Sequence, residues 1–230
     1  MPLHFLLHST ALSYGMLAPM LQQNVPLANT WSRHVGYGTD STVHHPSAGF
    51  DELTFRPHWD CIVRQPRLDE ISNLRKAAID AIGFPLASPE VIARVLSHDP
   101  ETIWIFDSMK LITGGFAFLY LNTLGVERLR SGELNLYDPD LNCLAAPNEL
   151  PAGCYWWVGF RIPGQPHGID RVLEFMRGPR FRAADFWMTP FTNDGRAFAV
   201  KMGFQPVHDA VAPGLYRYVR KVSRPVVQEA

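Results

Sequence analysis

The chain of 230 residues is short of cysteine, of charge excess and of long apolar runs, and each shortage excludes something. It has three cysteines, Cys61, Cys143 and Cys154. Their number is odd, their spacing is wide and no C-x-x-C pair occurs. A thiolate zinc site and a disulfide framework therefore both lack local support, and no metal is expected. Such cysteine usage fits a reducing cytoplasm. Lysine and arginine total 21 against 22 aspartates and glutamates, a formal net charge of −1. No global field steers the chain toward nucleic acid or membrane. No dense Lys/Arg stripe with interleaved stacking residues appears, so nucleic-acid binding has no support. No run of 18 apolar residues occurs, so no membrane span is expected. Internal repeats and low-complexity tracts are also missing.

What is present is globular composition. Apolar residues make up 47% and charged residues 19%, enough to build a core. The length fits one large domain, or one domain with a sizeable extension. Residues 1–55 read as an N-terminal extension and residues 56–230 as the main domain. The apolar start of the chain is broken by His4, His8, Ser9 and Thr10 and lacks a basic n-region, so it reads as an amphipathic helix rather than a signal peptide. The stretch from Ser32 to Leu53 is polar and weakly periodic, a loop. Adjacent histidines share no helix or strand face, so His44 and His45, with Arg33 and His34, read as a solvated loop and not a metal site.

From Trp59 the pattern sharpens. Residues 58–66 alternate and stop at Pro66, a short strand. Leu68, Ile71, Leu74, Ala78 and Ile79 fall at helical spacing and Gly83 closes the run. A second helix follows Ser88, with Pro89 in its first turn and Glu90 early. The runs TIWIFD and LITGGFAFLYL, joined by Ser108-Met109-Lys110, form a hairpin. Gly114 and Gly115 suggest a bulge or a close approach. Residues 125–150 read as connection, with a short strand at LNLYD. A strand over 153–162 leads through a Gly/Pro loop into a helix with Ile169, Val172, Leu173 and Met176 on one face. A strand at AADFWMTPF, a helix at NDGRAFAVKMGF and a last strand at YRYVRKV complete a mixed α/β sheet covered by helices.

This order resembles the GNAT superfamily of N-acetyltransferases over roughly residues 58–222. Three segments carry the resemblance. DSMKLITGGFAFLYL looks like that family's second and third strands. VGFRIPGQPHGIDRVLEFM looks like its acyl-CoA segment, a strand followed by a Q/R-x-x-G-x-G/A loop and a helix. GRAFAVKMGFQPV looks like the helix that ends YxKxGF. The resemblance implies a central, mostly antiparallel sheet flanked by helices. It also implies a reaction in which an amine attacks an acyl-CoA thioester directly, acetyl-CoA being the expected donor. Donor binding would fall to Val158, Phe160, Arg161, Gly164, Gln165, His167, Gly168 and Ile169. Val158, Gly159 or Phe160 would sit where a strand amide polarises the thioester carbonyl. Arg161 adds a fork for phosphate, and the helix dipole adds partial positive charge. Two departures stand out. Pro163 and Pro166 have no N–H and remove two donors from the loop. Ala199 stands where the family has the tyrosine that protonates the leaving thiolate.

For proton transfer and hydrogen bonding the candidates are Glu133, His208 and Asn193, with Asp185 and Thr192 beside them. Asp185 by default is a solvated strand end, and Thr192 and Asn193 also read as helix caps. Tyr155, Trp156, Trp157, Phe186 and Trp187 read mainly as core, with one of Tyr155, Trp157 or Trp187 free to line an acceptor pocket. Arg171, Arg177, Arg180 and Arg182 meet the adenosine end of CoA or form a solvated helix end. The competing readings are a ligand- or protein-binding module without catalysis, favoured by Ala199 and the two prolines, and an enzyme using a longer acyl donor. The acceptor amine is open. The apolar N-terminal helix would allow a homodimer.

Overall fold

The computed structural model describes residues 42–43, 49–52, 54–55 and 60–220. Most of the helix and loop expected over residues 1–55, with Arg33, His34, His44 and His45, lies outside the described residues. Strands β1 (Thr42–Val43) and β2 (Thr54–Phe55) pair antiparallel in a sheet of their own.

The main sheet grows from its hairpin. β4 (Ile103–Ser108) and β5 (Leu111–Leu121) are joined by Met109 and Lys110. Both link residues have positive φ, 51° and 66°, the backbone that matches a two-residue turn to the twist of the strands. β3 (Ile62–Arg64) pairs with the other side of β4, and β6 (Gly153–Arg161) runs antiparallel to β5. β7 (Asp185–Met188) runs parallel to β6. β9 (Tyr216–Tyr218) and β8 (Gln205–Pro206) finish the order β3-β4-β5-β6-β7-β9-β8. The result is the expected class: a mixed α/β fold with a seven-stranded, mostly antiparallel sheet flanked by helices.

Alternate strand residues face opposite sides, and each side has its helices. Ile103, Ile105, Ala117 and Phe160 pack under α1 (Ile71–Ile82) and α2 (Pro89–His98). Phe116, Phe118 and Tyr120 pack under α4 (Ile169–Met176) and α5 (Asn193–Lys201). α1 buries Ile71, Leu74 and Ala78 and stops at Gly83, whose φ is 73°. The Ser88 hydroxyl accepts from the Val91 N–H at 3.4 Å and caps α2 as the sequence predicts. The suspected close approach at Gly114 is real: a Cβ there would lie 2.7 Å from the Phe160 carbonyl oxygen. The suspected bulge lies beside it on the same strand: Phe106 opposes Gly114 and Asp107 opposes Ile112, so Thr113 is the extra residue.

Two expectations need correction. The connection after β5 opens with a helix, α3 (Thr123–Ser131), capped by Asn122 and closed at Gly132. It buries only Gly125 and Leu129, so its apolar period barely registers in the sequence. LNLYD forms a turn, not a strand. β8, two residues long, had no signal of its own. Phe50 is fully buried against Phe186, with ring centroids 4.4 Å apart. The neighbouring Asp51 carboxylate accepts from Arg220 and from the Tyr218 hydroxyl.

Candidate functional site

The site begins where the one parallel pair comes apart. β7 is four residues long and runs into Thr189-Pro190; proline has no N–H and cannot continue a ladder. Its last pairing is Met188 with Trp156. Among the described residues β6 continues to Arg161 paired with β5 alone, so alternate N–H and C=O groups of its last residues are left unpaired by strands there. The register between β5 and β6 shifts here: Ala117 opposes Val158 while Phe118 opposes Trp156. Trp157 is the extra residue of a bulge, which bends the strand and re-aims it. Both parted strands then lead into helices, β6 into α4 and β7 into α5. A crevice at the C-terminal ends of parallel strands is where α/β sheets take ligands, and two helix N-termini bring partial positive charge to this end.

The loop between β6 and α4 is pinned at both ends. The Ile162 N–H donates to Thr113 O at 2.7 Å, and the Thr113 hydroxyl donates to Pro166 O at 2.7 Å. Gly164 turns the chain with φ 74° and is exposed. Gly168 seats the helix start against β3, where a Cβ would lie 1.9 Å from Val63 Cγ2. As N-cap residue Gly168 offers no side chain to the first-turn amides of α4. The Gln165 N–H donates to Ile162 O at 3.2 Å; it closes the turn and does not face outward for a ligand. His167 is buried and Arg161 half-buried. Asp170, in the first turn, has a buried Oδ1 and works against an anion at this end.

On the other face, between α1, α2 and strands β4–β6, lies an apolar cavity of about 40 Å³. Val158 and Phe160 of the parted strand line it, with Trp157 of the bulge. The Trp157 indole N–H donates to Leu136 O at 2.8 Å, which ties the bulge to the segment after α3. Arg75 also lines the cavity, and its guanidinium donates to Ala87 O at 2.7 Å and to Leu86 O at 3.1 Å. Among the described residues, the lining contains no carboxylate and no imidazole. Sequence reasoning did not single out Leu74, Ala78, Ala87 and Ile92 as part of this wall. Their only signal was two small residues, Ala78 and Ala87, within apolar stretches.

The remaining candidates are scattered. Glu133 is exposed just beyond α3, with its backbone N–H on Arg128 O at 2.9 Å. His208 is exposed beyond β8, next to Asp209, which pairs with Arg130. Neither lines the cavity. Asn193 is exposed at the first turn of α5, and its side chain accepts from Arg196. Thr192 caps that helix, accepting from the Gly195 N–H at 2.9 Å. Asp185 is not a solvated strand end: Arg217 holds its carboxylate and the Arg220 N–H donates to it at 3.3 Å. Ala199 is fully buried among core side chains, so its position supplies no proton donor. Tyr155, Trp156 and Trp187 are core. Arg180 pairs with Asp99 and Glu101 and lies over the Tyr120 ring, 4.9 Å from its centroid. Arg177 donates to Phe50 O at 3.1 Å. Both arginines thus hold the fold together.

Cysteine chemistry has no foothold at Cys61 or Cys154. Burial pushes both thiols up, away from the reactive thiolate. Burial likewise pushes the Tyr155 phenol up to about 12. Among the described residues, no group of three or more His, Cys, Asp or Glu is placed to hold a metal ion, and no helix is long and apolar enough to cross a membrane.

No protein-family model matches the sequence, and no curated protein is similar to it. Solved structures are. The GphF GNAT-like decarboxylase, in complex with isobutyryl-CoA, is 17% identical over 60% of this chain and 71% of its own, with a TM-score of 0.43. A putative acetyltransferase from Pyrococcus horikoshii is 16% identical over 72% of this chain and 48% of its own, at 0.41. The loading GNATL domain of CurA from Lyngbya majuscula is 16% identical over 58% of this chain and 66% of its own, at 0.42.

Proposed function

We propose that the chain is an acyl-CoA-dependent N-acyltransferase of the cytoplasm, with acetyl-CoA as its simplest donor. The observation that carries this reading is the parted end of β6. Its open edge suits an extended, amide-bearing arm, which would add to the strand through backbone hydrogen bonds. The pantetheine of CoA is such an arm. Arg161 and the amides of Gly164, Gly168 and Ile169 are assigned to the pyrophosphate, with His167 shaping the loop. Pro163, Pro166 and the inward Gln165 leave fewer amides than the family pattern offers.

In the reaction the amine nitrogen attacks the thioester carbonyl carbon. The C–N bond forms, the C–S bond breaks, the nitrogen loses a proton and the thiolate gains one. An amide of the Val158–Phe160 edge is assigned to the carbonyl oxygen as charge develops there. Asn193 is assigned to the leaving sulfur as a hydrogen-bond donor. Proton removal is assigned to water. The test is thiol release from acetyl-CoA with a panel of amines, followed by mass measurement of the products. Acylated amine supports the reading, and binding without release overturns it. That second outcome would favour the module without catalysis, to which the buried Ala199 points.

A further inference from the structure

The apolar cavity lies against the same β6 residues to which the thioester is assigned, and its chemistry narrows the substrate. We infer that it receives the acyl chain of the donor and selects a short apolar chain, straight or branched, of about four to six carbons over acetyl. This rests on the acyl-CoA reading.

Val158 and Phe160 point from the parted strand toward α1 and α2, into the wall formed with Ala78, Ala87 and Ile92. Arg75, the one charged lining residue among those described, turns its guanidinium onto the Leu86 and Ala87 carbonyls. A charged amine entering here would lose its hydration and find no anion, a large penalty. An alkyl chain loses nothing and leaves water. The space, about 40 Å³, is roughly three times what one water-sized probe needs, room for about three methyl or methylene groups beyond the carbonyl and its first carbon. An acetyl group would leave that room unfilled. Each buried methylene tightens binding by about fourfold, so three give about 60-fold.

The experiment is calorimetric titration of the full chain with CoA, acetyl-CoA, butyryl-CoA, hexanoyl-CoA and palmitoyl-CoA. Parallel titrations use the S-acetyl and S-hexanoyl esters of N-acetylcysteamine, which carry no nucleotide. The expected result is tightening of at least tenfold from acetyl to hexanoyl, with loss of affinity at palmitoyl. In Ala87→Phe, which fills the cavity, the gain should vanish while the affinity for free CoA stays put. Ile92→Val, milder toward folding, should shift the optimum to a longer chain. Equal affinity for every chain length overturns the inference and leaves the acyl-CoA reading standing. Binding of the hexanoyl cysteamine ester but of no CoA compound supports the cavity's role and overturns the CoA reading. A gain that survives Ala87→Phe in a folded variant also overturns the inference.

Discussion

Gly168→Ala separates a glycine needed for its backbone from one needed for its size. Its φ is −113°, a value alanine adopts without strain. If backbone freedom were all that mattered, alanine would stabilise the fold by about 0.4–1 kcal/mol through the unfolded chain. The packing says otherwise. The new methyl would sit 1.9 Å from Val63 Cγ2 and 3.4 Å from Phe106 Cδ1. Val63 is β-branched and stiff, so either its strand or the start of α4 must shift. Overpacking of this kind costs about 1–3 kcal/mol, leaving a net loss of about 1–2 kcal/mol after the unfolded-state gain. For a chain of this size that lowers Tm by about 2–8 °C. Pairing with Val63→Ala removes the obstruction. The double variant should therefore be less destabilised than the sum of the singles, by at least about 0.5 kcal/mol. Thermal and urea melts of the four proteins measure it. A Gly168→Ala variant that melts higher, or a strictly additive cycle, refutes the claim that α4 is seated on β3 through this glycine.

Other expectations follow from the ion pairs and from the scattered candidates. Glu70 is held down to about 2, chiefly by hydrogen bonds from Arg64. A lowered carboxyl stabilises above its ordinary range and loses that contribution as pH falls toward 2. Glu70→Gln should cost about 1–2 kcal/mol at pH 7, allowing for the partly exposed Arg64. The gap to the parent should close below about pH 3 in urea melts taken across pH; a gap that does not change with pH contradicts the assignment. Arg180→Met strands Asp99, which is 1% exposed. The expected loss is about 3–5 kcal/mol, and Asp99→Asn in the same chain should recover part of it; no recovery counts against an electrostatic cause. Glu133→Gln and His208→Ala should each leave the acyl-transfer rate within about threefold, whereas removing a general base costs about 10²–10⁴; a loss of that size would reinstate the residue.

Local signals were legible where one residue enforces one geometry. Ser88 and Pro89 announced α2, and Gly83 announced the end of α1. The short polar link at Met109 and Lys110 announced the central hairpin, whose apolar runs then carried the sheet. α3 was hidden because Gly125 sits against Cys143 O, where a Cβ would lie 2.1 Å away. That demand comes from a residue 18 positions on, and nothing near Gly125 in the chain reports it.

The site divides the same way. From residue order came a strand, a Gly/Pro loop and a helix, and from proline chemistry the certainty that Pro163 and Pro166 donate nothing. Only tertiary structure decided that β7 stops opposite Trp156 while β6 runs on, and that Trp157 is the bulged residue. It alone turned the Gln165 amide inward, tied Arg177 and Arg180 to the fold, and opened an apolar cavity behind Val158 and Phe160. Helix caps and turns depend on neighbours three or four residues away, which a sequence displays directly. Strand parting, cavity shape and the partners of a long arginine depend on residues tens of positions distant, brought together only when the sheet closes.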